Sequence, residues 1–485
     1  MISLTDLIVL VPELFLTGAV CVLLLADLFI TQQRRGLTHF LAIGILLLCV
    51  VLTLRPHATG GMPLAQSAFG GMFVRDLLAD LLKVSIYVTT AAVFIYAKPY
   101  LIARDLFQGE FYVLCLTAVL GAMFMCSAGN LLIVYLGLEL LSLSSYALVG
   151  MNRDSPLSSE AAIKYFVLGA IASGMLLYGA SMIYGATGTL DLAAIHAKAA
   201  AGYERTLISF GLAFVVVGLA FKLGAAPFHT WMPDVYQGSP TAVTLFISST
   251  PKVAAFGMAY RVLDTGLSGL VDDWRPMLAV LAFLSLAIGN IVAIAQSNLK
   301  RMLAYSTVSH IGFLLLGVLN GTPDGYAAAT FYAITYAITS TASFGIMVLL
   351  SRAGFEAEEI DDFKGLNQRS PWYALSMLMV MASQAGVPVW VGFFAKFQVL
   401  KAALQTPGML WLGIAGALFT VIGAFYYLRV IKVMYFDEPK GGDQQLALPA
   451  DLPFRFVLSV NGLALLGLGL FGGPLMALCL EAVSR

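Results

Sequence analysis

The chain has 485 residues, 60% of them hydrophobic and 11% charged, and its 27 basic and 27 acidic side chains leave a formal net charge of zero. A soluble protein of this length carries about 25% charge, so the chain reads as an all-α polytopic membrane protein whose surroundings are the lipid bilayer. Zero net charge suggests neither nucleic acid nor a polyanionic surface as a partner, and no nucleic-acid partner is expected.

The first residues hold Asp6 and Glu13 where a signal peptide would be basic, so the first apolar stretch is expected to be retained. Apolar runs of about 20 residues predict fourteen membrane spans, near 7–30, 37–54, 77–97, 111–129, 130–150, 161–186, 206–237, 240–263, 275–296, 300–320, 326–351, 372–402, 409–434 and 455–480. Spans seven and twelve are over-long, and each contains a proline, Pro227 and Pro388, that should break its helix. Turns are marked by Gly129-Asn130, Gly238-Ser239-Pro240 and Thr322-Pro323-Asp324-Gly325. The longest polar connection, Arg352 to Ser370, carries Glu356, Glu358, Glu359, Asp361 and Asp362 and reads as a solvated loop. The cysteines (Cys21, Cys49, Cys115, Cys126 and Cys479) all lie in apolar segments and none is spaced as Cys-x-x-Cys, which points to small core residues and away from an iron–sulfur or zinc site.

Spans four to eight and nine to thirteen are two sets of five, each with its broken helix in fourth place. A unit with an odd number of spans must insert in opposite orientations in its two copies, as in inverted-repeat transporters. The expected divisions are a three-helix segment over 1–110, a first five-helix repeat over 111–263, a second over 264–434 and a C-terminal helix over 435–485. With the N-terminus outside, fourteen Lys and Arg fall in inner loops and eight in outer ones, so the positive-inside rule puts both termini on the periplasmic face.

Five lysines remain inside the spans: Lys83, Lys164, Lys222, Lys252 and Lys396. Each costs about 2.5–3.5 kcal/mol at mid-bilayer, which favours a use for the charge. Lys83 follows Asp76 and Asp80, so local pairing accounts for it. Lys222, just before Pro227, has a natural partner in Glu139 in the middle of span five; a static buried ion pair is the competing account. Lys164, near the start of span six, reads either as a relay or as a side chain snorkelling to the interface. Lys252 follows helix-entry signals at Thr250 and Pro251, and Lys396 is flanked by apolar residues beyond Pro388; both read as relays. His229 and His310 suit proton hopping by their ordinary pKa near 6.5, with a hydrogen-bonded structural histidine an equal alternative. Tyr305, Ser306, Thr307 and Ser309 are placed to order water beside His310.

The segments KLGAAPFHTWMPDVYQGSPTAVTLFISSTPKVAAF, EAAIKYFVLGAIASG, LKRMLAYSTVSHIGFLLLG and GVPVWVGFFAKFQVL resemble the antiporter-like membrane subunits of respiratory complex I, and the match spans nearly the whole sequence. It fits the N-type branch best: the L type continues into a lateral helix, and the M type carries glutamate where Lys396 stands. The resemblance implies a translocase subunit of the bacterial inner membrane, with Glu139 and Lys222 as the coupling pair, Lys252 as a central relay and Lys396 as the exit-side lysine. Lys164 and His310 match the family residues of spans six and ten. It also implies that this chain holds no cofactor, that NADH, FMN, iron–sulfur clusters and quinone belong to other subunits, and that its partners are the neighbouring membrane-arm subunits. One departure is Trp390, in VPVWVGF, where the family more usually has a proline–glycine pattern. A cation/proton antiporter subunit of the Mrp type and a passive membrane scaffold are the alternatives.

Overall fold

The computed structural model of the chain describes residues 4–58, 65–351, 354–439 and 451–484. Arg352, Lys440 and Arg485, three of the loop charges behind the expected orientation, lie outside these described residues. Helices α1 (Leu4–Val9) and α2 (Val11–Asp27) share the first expected span, and α3 (Gly36–Ala58) follows. A hairpin of β1 (Ala65–Ala68) and β2 (Phe73–Asp76), with Ala65 opposite Asp76, leads into α4 (Leu77–Ala103). Next come α5 (Gly109–Cys126), α6 (Leu131–Val149), α7 (Pro156–Thr187) and the short α8 (Leu192–Ala200). The seventh span divides into α9 (Arg205–Leu223) and α10 (Trp231–Gly238). The eighth holds α11 (Thr241–Ile247), α12 (Thr250–Tyr260) and a π-helical turn, Arg261–Gly266. After α13 (Val271–Ile294), α14 (Leu299–Val318), α15 (Pro323–Leu350) and the short α16 (Leu366–Arg369), the twelfth span divides into α17 (Pro371–Ala385) and α18 (Val391–Gln405). The chain closes with α19 (Leu410–Phe436), α20 (Leu452–Leu470) and α21 (Gly473–Val483).

Among the described residues, twelve helices are long and apolar enough to cross a membrane. The difference from the expected fourteen lies at spans one and twelve, whose helices are interrupted at Leu10 and between Ala385 and Val391. Helix starts follow the sequence's polar punctuation. Asp76, Asn130, Ser155, Asp191, Asn298, Thr322 and Asp451 each accept a backbone N–H of the first turn through the side chain, satisfying a donor that the helix itself leaves free.

Polarity and position are inverted relative to a soluble protein. The central 241–266 segment is buried but for Asp264 and Thr265 and has a mean hydropathy of only 1.2, whereas α3 reaches 2.6 and is mostly turned outward. Hydroxyl-bearing side chains fill the middle: Thr90 bonds Thr250 at 3.0 Å, and Ser340 bonds Ser248 at 3.0 Å. The apolar periphery is suited to lipid, and the polar centre is protected from it.

The local pairing expected for Lys83 is not what forms. Lys83 meets Glu13 of α2 at 2.6 Å, both side chains fully buried. Asp80 is engaged by Arg75 and His57, and Asp76 by Arg261, so the nearer carboxylates are already neutralised and the lysine takes the remaining acid. Removing one member of a buried pair strands the other charge, at a cost of about 3–5 kcal/mol. Lys83→Met is therefore expected to lower the thermal midpoint of the detergent-solubilised protein, and adding Glu13→Leu to recover most of the loss. A thermal-shift measurement on the two variants checks this.

Candidate functional site

Both helix breaks are built the same way. Helix α9 stops at Leu223 because Gly224 takes φ +88°, and α17 stops at Ala385 because Gly386 takes φ +84°. A side chain at either position would be strained, and it would also crowd the lysine's surroundings: an added Cβ would lie 2.6 Å from Met232 Cε at Gly224, beside Lys252, and 3.1 Å from Lys396 Cδ at Gly386. A helix that stops inside the protein leaves its last carbonyls without N–H partners. Lys252 Nζ donates to the Leu223 carbonyl at 2.8 Å. Lys396 Nζ donates to the carbonyls of Gln384 at 2.7 Å and Ala385 at 3.3 Å. A cation at the negative end of a helix dipole is favourable, and an aromatic face backs each amine: Trp231 lies 5.0 Å from Lys252 Nζ and Phe313 4.9 Å from Lys396 Nζ. At the second break Val389 also takes φ +82°, a conformation that costs a β-branched residue on the order of 1–3 kcal/mol. Trp390 then begins α18 without a side-chain cap.

Lys222 lies in the last turn of α9, buried, and donates to Ser142 Oγ of α6 at 2.8 Å. Glu139 stands one turn before Ser142. Its Oε1 is buried and accepts no hydrogen bond among the described residues, and no ion pair within 4.0 Å joins it to Lys222. Lys222 and Lys252 thus share one helix end, and Glu139 stands one turn of α6 from the serine that Lys222 bonds. His310 forms a second cluster near Lys396: Nδ1 pairs with the Tyr332 hydroxyl at 2.6 Å and Nε2 with the Tyr427 hydroxyl at 3.1 Å. Of the residues expected to order water there, Ser306 bonds Tyr427 and Thr307 accepts from Tyr336. Ser309 accepts from Asn290, while Tyr305 packs against the His229 ring. Lys164 stands apart. Its side chain is 44% exposed and paired at 2.8 Å with both Glu160 and Asp234, and Asp234 also takes Arg301 at 2.9 Å. This pairing ties α7 to α10, the second half of the broken seventh span. Among the described residues no three His, Cys, Asp or Glu side chains gather as a metal site.

The family model described as "NADH:quinone oxidoreductase/Mrp antiporter, TM" matches residues 128–423. The chain is 56% identical to the NADH-quinone oxidoreductase subunit N of Xanthomonas euvesicatoria pv. vesicatoria, covering 98% of this chain and 96% of that one. It is 53% identical to the subunit N of Thioalkalivibrio sulfidiphilus, covering 99% and 98%. The chain belongs to the NADH-quinone oxidoreductase subunit N family. Among solved structures, a chain of the respiratory complex I from Thermus thermophilus with bound aureothin superposes with a TM-score of 0.82 at 29% identity, covering 96% of this chain and 98% of that one.

In this member of the subunit N family, sequence reading missed a polar cluster on the face where α10 turns into α11. Glu356, expected in a solvated loop, is drawn inward. It pairs with Arg104 and with Lys300 at 3.3 Å, and it accepts hydrogen bonds from Tyr100 at 3.0 Å and from Thr241. Lys300 is itself buried and also donates to the Ser239 carbonyl at 3.3 Å. The Lys300-Arg301 pair at a helix start gave no sign of this, since exposed and buried lysines look alike there. Burial pushes the Glu356 carboxyl up, but Lys300, Arg104 and the two hydroxyl donors outweigh it and hold it below its ordinary value of 4.5. A depressed folded-state value means stability that is present above pH 4.5 and lost as pH falls through the lower value of the folded protein. Glu356→Gln is therefore expected to lower the thermal midpoint at pH 7, with the gap to the parent closing on acidification below about pH 4.5. Thermal unfolding across a pH series checks the sign.

Proposed function

We propose that this chain is a proton-translocating membrane-arm subunit of a bacterial NADH-quinone oxidoreductase, coupling quinone reduction in other subunits to proton transfer through buried side chains. One observation carries the reading: two buried lysines, Lys252 and Lys396, cap the two internal helix breaks, and a third, Lys222, sits in the last turn before the first break. An amine in that position exchanges a proton and, in the same event, gains or loses a helix-capping charge. Redox chemistry is assigned to the partners, where NADH, FMN, iron–sulfur clusters and quinone belong.

In this reading the chain crosses the inner membrane fourteen times with both termini periplasmic, and α5–α12 and α13–α19 are the two inverted repeats. The interrupted helices of spans one and twelve serve as crossings that continuous-helix counting leaves out. A charge change passed along the membrane arm moves Glu139 relative to Lys222. Nearness of the carboxylate favours the ammonium, and separation releases its proton towards Lys252 and on through the His310 cluster to Lys396. Lys164, exposed on the flank and paired to Asp234, sits where a neighbouring subunit would cover it, since an intramembrane charge facing lipid is costly. The relatives at 53% and 56% identity carry the oxidoreductase name, which favours this reading over an Mrp-type cation antiporter.

Lys222→Ala tests the proposal in vesicles that oxidise NADH. NADH-driven proton uptake is expected to be lost while artificial-acceptor NADH oxidation and the native-gel band of the complex persist. An undiminished proton-to-electron ratio with full quinone reductase activity would overturn the role and leave a membrane scaffold.

A further inference from the structure

Between α14, α15 and the two halves of the twelfth span lies a cavity of about 20 Å³, lined by His310, Tyr332, Thr339, Ser383 and Gln384 among others. A volume of roughly 10–15 Å³ on this measure holds one water when two to four polar groups face it. Most of the lining hydroxyls are committed elsewhere: Thr335 and Thr339 donate to carbonyls of their own helix, and Tyr336 donates to Thr307. Gln384 differs. It is 4% exposed and its Nε2 donates to Ser343 at 3.1 Å, but its buried Oε1 accepts nothing from the protein. The backbone carbonyl of the same residue receives Lys396 at 2.7 Å. Gln384 is therefore the residue that joins the cavity to the lysine, and Tyr332 joins the cavity to His310.

We propose that Gln384 positions a single water between Tyr332 and Lys396, so that a proton passes from the His310 cluster to the exit-side lysine. The inference rests on the proton-transfer reading above and names a positioning residue for it. The step balances without any co-reactant. His310 Nδ1–H gives its proton to the Tyr332 oxygen as Tyr332 passes its own hydroxyl proton to the water, and the water passes one of its protons to the neutral Lys396 amine. His310 is left neutral, Lys396 becomes an ammonium, and Tyr332 and the water are unchanged in composition. The water spends one hydrogen on Gln384 Oε1, which turns its other hydrogen towards the amine. That amine, once protonated, is held by the carbonyls of Gln384 and Ala385.

The test compares Gln384→Met, which keeps length and bulk but removes the acceptor, with Gln384→Glu, which restores an acceptor oxygen, and with Lys396→Met, all in the intact complex in membrane vesicles. Gln384→Met is expected to cut NADH-driven proton uptake about tenfold, less than the loss of a proton-transfer group itself, with artificial-acceptor NADH oxidation unchanged. Gln384→Glu is expected to pump at the parent's rate. Parental uptake in Gln384→Met, alongside loss in Lys396→Met, would overturn the positioning role and leave the wider reading intact. Loss in both Gln384 variants would overturn it too, since it would show a packing requirement only. Parental uptake in Lys396→Met would overturn the wider reading itself.

Discussion

The structure turns on a lysine ammonium placed against the carbonyls of a helix that ends inside the protein. Neither part is tolerable alone in a membrane. An interrupted helix exposes unpaired carbonyls to a medium that offers no donors, and a lone ammonium there is expensive. Together each supplies what the other lacks: the carbonyls and the dipole end stabilise the cation, and its N–H groups satisfy the carbonyls. Lys252 at the end of α9 and Lys396 at the end of α17 are two instances of one solution. One lysine comes from the following span and the other from the second half of the same span. The positive-φ glycines at 224 and 386 matter for the same reason, since they stop the helix and leave room for the amine.

The surrounding architecture protects that interaction. The hydroxyl-rich 241–266 segment and α15 occupy the centre, where Thr250, Ser248 and Ser340 find partners on neighbouring helices. Apolar helices such as α3 and α7 form the periphery. Buried charges away from the helix breaks are neutralised in fixed groups: Glu13 with Lys83, and Glu356 with Arg104 and Lys300 near the α10–α11 turn. Their pairing keeps charge alone from marking a path. The lysines at the helix breaks are set apart because carbonyls and a hydroxyl hold them, with no carboxylate among the described residues within ion-pair distance.

Much of this was legible in the sequence because membrane physics leaves few options. Long apolar runs have to be helices, prolines in over-long runs have to interrupt them, and lysines amid such runs stand out. Lys222, Lys252 and Lys396 stand out on those grounds, and so does the position of both breaks, but that Lys252 reaches back from the eighth span to the end of α9 does not. Partners were less legible, because a side chain chooses among neighbours brought in from distant spans. Lys83 passed over Asp76 and Asp80 for Glu13, and Lys222 bonds Ser142 in place of Glu139. Glu356 sits in a polar loop whose composition says solvent, yet cations on α4 and α14 draw it inward. Gln384 carried no signal at all, since a glutamine near a helix end gains meaning only from the cavity beside it.

Capping requires a cation, whereas proton transfer requires one that can lose its charge. Arginine meets the first requirement and fails the second, because its guanidinium stays protonated in proteins. The most direct measurement is therefore NADH-driven proton uptake in vesicles whose complex carries Lys252→Arg or Lys396→Arg, alongside the thermal stability of the same preparations. The account predicts a complex that assembles with nearly parental stability and does not pump. Undiminished pumping in both arginine variants would show that the lysines serve only to hold the broken helices, and would contradict it.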